Sequence, residues 1–122
     1  MFRTYLYIHL PTFLHELDSV KRVYLAPQGS NSCDNGETVP KHECEAAGSL
    51  LSPNPRRTLQ VGHGGKCLDG SWGQVPLGCS VQSGGDRAAH YKTSGDTGPE
   101  CIHPHYQLVC RSKGKIFLSP IT

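Results

Sequence analysis

The chain has no apolar run of the ~18 or more residues that a membrane-spanning helix needs, so no such helix organises it. It is also poor in material for a large interior. Apolar residues make up 36% of its 122 positions, against about 45–50% for an average domain with glycine counted in. Charge of one sign is missing too. A net charge of +2 gives phosphates no basic surface to follow, so nucleic acid is not an expected partner. The one local excess, Arg111, Lys113 and Lys115, reads as a solvated tail. No Cys-x-x-Cys occurs, which removes the strongest zinc signature. No Gly-x-Ser-x-Gly occurs, which removes the nucleophile elbow of hydrolases. Gly62-His-Gly-Gly-Lys66 has the wrong glycine spacing for a phosphate loop, and Cys67 stands where that loop needs Ser or Thr. The expectation is a protein that is not an enzyme and has no cofactor or metal.

What is present in quantity is glycine, proline and cysteine. Gly 14 and Pro 9 are roughly one residue in five, against roughly one in eight on average. Such a chain has many flexible joints and little interior to offset their ordering entropy. Six cysteines, an even number, fit that need as disulfides, which form in an oxidising compartment.

The central stretch runs from Gly78 to Tyr91. Cys79-Ser-Val-Gln82 reads as a strand, Ser83-Gly-Gly-Asp86 as a turn that two glycines permit, and Ala88 to Lys92 as the return strand. Upstream, Val23 to Ala26 reads as a first strand, and turn residues follow through Gly36. Thr38 is placed to cap a helix with Pro40 in its first turn. Pro40, Cys44, Ala47 and Leu51 then share one helical face, and Pro53 and Pro55 stop the helix. Thr58 to Val61 alternates like an exposed strand. His63 to Gly73 is a loop holding the single tryptophan, Trp72. Tyr106, Leu108 and Cys110 fall on one side of a late strand, and Lys115 to Leu118 reads as a last edge strand. The connections are mostly too short for crossovers. The fold class is therefore α+β: a small disulfide-rich domain with an antiparallel sheet of about four or five short strands. One α-helix packs on one face of that sheet. Residues 1–20 form an apolar N-terminal arm, 21–112 the cysteine-rich domain and 113–122 a tail or edge strand.

Six cysteines allow fifteen pairings, and spacing alone does not choose among them. Placement on the elements suggests one. Cys44 on the inward helix face meets the central strand at Cys79; Cys33, after the first strand, meets Cys110 on the late one; Cys67 and Cys101 are left to join two loops. Other constellations have bland readings beside them. Cys101-x-His103-x-His105 would converge on a strand, but Pro104 argues for a loop. Asp86 and His90 are spaced to hydrogen-bond across the hairpin, as a structural pair before a catalytic one. Trp72, Tyr91 and Tyr106 could stack on a sugar, with core packing the commoner use of such rings. Asn31-Ser-Cys33 is a poor variant of the glycosylation sequon.

The arm carries Tyr5, Tyr7, Ile8, Leu10, Phe13 and Leu14. It is only loosely like a signal peptide, having one arginine ahead of the apolar stretch, Pro11 within it and no small-residue cleavage site. The bland reading packs the arm on its own domain; the sharper one docks it on a partner or membrane surface, and these six residues are then the expected partner-binding set.

Gly29-Ser-Asn-Ser-Cys33, Glu43-Cys-Glu-Ala-Ala47, Pro76 to Asp86, Ala88-Ala-His-Tyr91 and Tyr106-Gln-Leu-Val-Cys110 together resemble a small cysteine-rich domain. That domain recurs in predicted proteins of dinoflagellates and other algae. The likeness spans roughly residues 23 to 111, with Arg87 where the pattern has an aromatic residue. It implies a non-enzymatic domain in an oxidising compartment of an alga. It also implies that Cys67 and Cys101, additions to a four-cysteine frame, pair with each other. The expected role is a structural or interaction module: an accessory subunit of a larger protein complex, such as one on the lumenal side of a photosynthetic membrane. A secreted lectin-like, carbohydrate-binding domain is the alternative, and a small metal protein or enzyme the third.

Overall fold

The computed structural model describes residues 22–95 and 97–113. The proposed arm, with Tyr5, Tyr7, Ile8, Leu10, Phe13 and Leu14, and the edge strand expected at Lys115 to Leu118 lie outside the described residues.

Among the described residues six strands form one mixed sheet: β1 (Val23–Leu25), β2 (Gly36–Thr38), β3 (Gln60–Gly62), β4 (Gly78–Gln82), β5 (Ala89–Lys92) and β6 (Tyr106–Ser112). Along the sheet the order is β1-β6-β4-β5-β3, and β2 also pairs with β6. The fold class is as expected, with two corrections. Residues 36–38, read as turn and helix cap, form β2 against the C-terminal half of β6. The sheet is also not wholly antiparallel, because β3 pairs parallel to β5, with Gln60 opposite His90. The long 63–77 connection makes this arrangement possible. It carries the chain past β5 before β4 begins, so β3 need not form a hairpin with its sequence neighbour.

The single α-helix among the described residues, α1, runs Lys41–Leu51. Thr38 does not cap it. Pro40 takes that position in extended backbone, with no side-chain cap, and Glu43 places negative charge in the first turn. Cys44, Ala47 and Gly48 face the sheet, with Leu51 half-buried beside them. A methyl group at Gly48 would stand 2.9 Å from the Ala89 side chain, so the glycine sets how closely helix and sheet approach.

Alternation along the strands divides the sheet into two faces. Cys79, Val81, Ala89 and Val109 meet the helix in the main core with Val39, Cys44 and Ala47. The other face carries Ser80, His90, Lys92, Tyr106, Leu108 and Cys110. Loops cover it, and Ala26, Leu108 and Cys110 make a smaller core there. Arg111 is not part of a free tail: its guanidinium spans Glu37 of β2 and Glu43 of α1, each at 2.8 Å.

The three disulfides are Cys33–Cys110, Cys44–Cys79 and Cys67–Cys101, the pairing expected from placement. One ties helix to sheet, one ties the turn before β2 to β6, and one ties two loops. The last two intervals, 44–79 and 67–101, interleave, and 33–110 encloses both. The protein is a disulfide-stabilised module, and such bonds belong to an oxidising or secreted environment. No helix among the described residues is long and apolar enough to cross a membrane.

Candidate functional site

The loop-covered face holds a groove. One wall is the 66–75 loop, which a local hydrogen-bond network folds tightly. Ser71 Oγ reaches the Lys66 and Leu68 carbonyls, Gly70 N–H donates to Gln74 Oε1, and Trp72 opens a short 3-10 turn. Beside it a second wall, the 97–105 loop, reaches one end of the groove through His103 and His105. His103 N–H donates to the Gln74 carbonyl at 3.0 Å, joining the two walls, and Cys67–Cys101 joins them covalently. The floor is β4, β5 and the start of β6.

Lys92 anchors both loops from below. It is only 1% exposed, and its Nζ donates to the Val75 carbonyl at 3.1 Å and to Thr97 Oγ1. Trp72 lies over Gly62 of β3, where any side chain would occupy the space of the indole. This is why β3 ends in glycine: the tryptophan needs a bare backbone to lie on.

The centre of the groove is His90, 6% exposed. Its ring lies between Trp72, tilted with centroids 5.5 Å apart, and Tyr106, edge-on at 5.0 Å. Nδ1 sits 3.0 Å from the Ala88 carbonyl and so carries the proton, which leaves Nε2 as an acceptor. Burial pushes the imidazole pKa below its ordinary value, outweighing the Ala88 bond and Asp86, which act to raise it. Burial pushes the Tyr106 phenol up, with Asp86 adding to the effect. Both groups are therefore neutral near pH 7.

Two adjoining cavities make up the lobes of this groove. One, of about 260 Å³, is lined by Arg57, Gln60, Trp72 and His90. The other, of about 250 Å³, is lined by Gln74, Gln82, His103 and His105. Gly70 and Tyr106 line both. A third cavity, about 420 Å³, lies elsewhere, where β2 and β4 meet end to end along β6, lined by Thr38, Leu77 and Tyr91 among others.

Of the three candidate stacking rings, Trp72 and Tyr106 come together. Tyr91 does not, because it follows His90 in β5 and so packs toward the helix. Asp86 does not hydrogen-bond His90. Its carboxylate accepts from Arg57 at 3.2 Å and from the Ala88 N–H at 2.9 Å. Cys67 and Cys101 are consumed in a disulfide, and His103 Nδ1 accepts the His105 N–H at 3.1 Å. Among the described residues no group of three or more His, Cys, Asp or Glu side chains is placed to hold a metal ion. Ser80 stands opposite His90 across β4–β5, but its hydroxyl is fully buried, with no partner among the described residues. Gln60, Gln74 and Gln82 line the groove although nothing in their local sequence marks them. No family model, curated protein or solved structure matches the chain.

Proposed function

We propose that the protein is a non-enzymatic binding module that takes a carbohydrate in the Trp72–His90–Tyr106 groove. One observation carries this reading: aromatic rings and amide and imidazole side chains line two adjoining cavities beside loops locked together by Cys67–Cys101. Sugars present apolar ring faces edged by hydroxyls that both donate and accept. Rings bordered by uncharged polar groups complement that pattern. A rigid frame lowers the ordering cost of binding. Trp72 is the only tryptophan, so its emission reports on the groove directly. A saturable change in that emission across a panel of oligosaccharides is expected; a flat response to all of them overturns the reading.

The composition of the N-terminal segment favours a second reading, an accessory subunit of a larger assembly. Tyr5, Tyr7, Ile8, Leu10, Phe13 and Leu14 would dock on other subunits. The resemblance to an algal cysteine-rich domain supports a place on the lumenal side of a photosynthetic membrane complex. Deleting residues 1–20 separates the roles. Loss of co-purifying proteins with all three disulfides retained supports docking, whereas unchanged co-purification removes it.

A further inference from the structure

Resting on the sugar-binding reading, we infer that the ligand is an uncharged carbohydrate at least two rings long, one ring in each lobe, held without a bridging metal ion.

Size comes first. Each lobe alone falls below the usual range for a ligand pocket, about 300–1,000 Å³, and the two together fall within it. The lobes meet at a seam formed by Gly70 and Tyr106. A ligand that uses the whole groove must cross that seam, so it is extended and jointed, as a glycosidic linkage is.

Hydrogen-bonding capacity comes second. In the first lobe His90 Nε2 is an acceptor with no partner among the described residues. At the seam the Tyr106 hydroxyl is likewise unpartnered. In the second lobe the Gln82 amide has no partner among the described residues, and His103, whose Nδ1 accepts the His105 N–H, offers Nε2–H as a donor. These groups alternate acceptor, two-way, two-way and donor along the groove. Hydroxyls, which both donate and accept, satisfy all four.

Charge comes third. Among the described residues no Asp or Glu lines either lobe, so these residues do not supply the carboxylates that calcium-bridged sugar binding needs. Arg57, at the rim, already holds Asp86 at 3.2 Å and Gln60 Oε1 at 2.7 Å, so its charge is matched before any ligand arrives. A carboxylate or phosphate on the ligand would find no unmatched cation deep in the groove.

The test titrates the intact, oxidised full chain with maltose, cellobiose, lactose and diacetylchitobiose, their monosaccharides, and digalacturonic acid. Trp72 emission and amide shifts are followed with and without EDTA. At least one uncharged disaccharide is expected to bind tenfold or more tightly than its monosaccharide, with EDTA without effect. Gln82→Ala, in the lobe away from Trp72, should bring that disaccharide down to monosaccharide affinity. Tyr106→Phe, which removes only the seam hydroxyl, should weaken it severalfold. Equal mono- and disaccharide affinity overturns the two-ring inference while leaving the groove a sugar site. Tighter binding of digalacturonic acid overturns the uncharged assignment, and loss of binding in EDTA overturns metal independence. Failure of every sugar removes the underlying reading itself.

Discussion

His90 shows how one buried side chain couples folding to pH. Its folded-state pKa is lowered, so above the unfolded value near 6.5 both states are neutral and the full stability is present. Below that pH the unfolded chain takes up a proton that the folded chain resists, so stability falls until the folded imidazole also protonates. Denaturant midpoints should drop between pH 7.5 and 5, and His90→Gln should flatten part of the slope. Gly62 is the other position where one atom decides. Gly62→Ala sets a methyl group into the Trp72 indole, at a cost of about 1–3 kcal/mol by overpacking. The melting temperature should fall and Trp72 emission shift to the red as the ring is displaced toward water. Neither effect is legible in the local sequence. Gly62 sits among Gly64 and Gly65 like any turn residue, and only the parallel pairing of β3 brings it beneath Trp72. Tyr91 was separable from the other two rings on strand alternation alone, since it adjoins His90, but the groove had to be known before that mattered.

Among the elements, the helix and the central hairpin were the most readable. Both rest on short-range signals: the spacing of Cys44, Ala47 and Leu51, and the glycine turn before Arg87. The strand β2 was not readable. Its three residues have no apolar alternation, and it exists because the C-terminal half of β6 offers an open edge. Tertiary context there overrides local preference. The disulfides were readable through the elements they join, and the same logic ranks them. Cys44–Cys79 and Cys67–Cys101 close almost equal spans, 35 and 34 residues, so chain entropy assigns each about 4 kcal/mol. They differ in burial: Cys44 and Cys79 are 0% exposed within the main core, and Cys67 is exposed. Replacing Cys44 and Cys79 by alanine adds a cavity term of about 1–2 kcal/mol. The Cys67→Ala/Cys101→Ala variant should therefore unfold at higher denaturant than the Cys44→Ala/Cys79→Ala variant. On the proposed sugar-binding role it should nonetheless bind its ligand more weakly, because its two groove walls are then joined only by noncovalent contacts such as the His103–Gln74 hydrogen bond. Equal denaturant midpoints for the two variants would contradict this ranking.

At the scale of the molecule, three closed loops at about 4 kcal/mol each match the whole stability of an ordinary domain, about 5–15 kcal/mol. Full reduction should therefore unfold the protein at 25 °C. Circular dichroism in reducing agent would test this, alongside a non-reduced mass lighter by six hydrogen atoms. The scarcity of apolar residues made that dependence legible from composition; the groove, built from loops on the face away from the helix, was not. One further property follows from β1 and β6 lying side by side. Arg22 and Ser112 exchange hydrogen bonds, the Ser112 N–H to the Arg22 carbonyl at 2.8 Å and the Arg22 N–H to Ser112 Oγ at 3.2 Å. The described chain thus enters and leaves at one point, while Tyr106, at the other end of the same strand, is about 20 Å away. A tether attached at Arg22 or Lys113 would hold this head by its base, with Tyr106 at the far end.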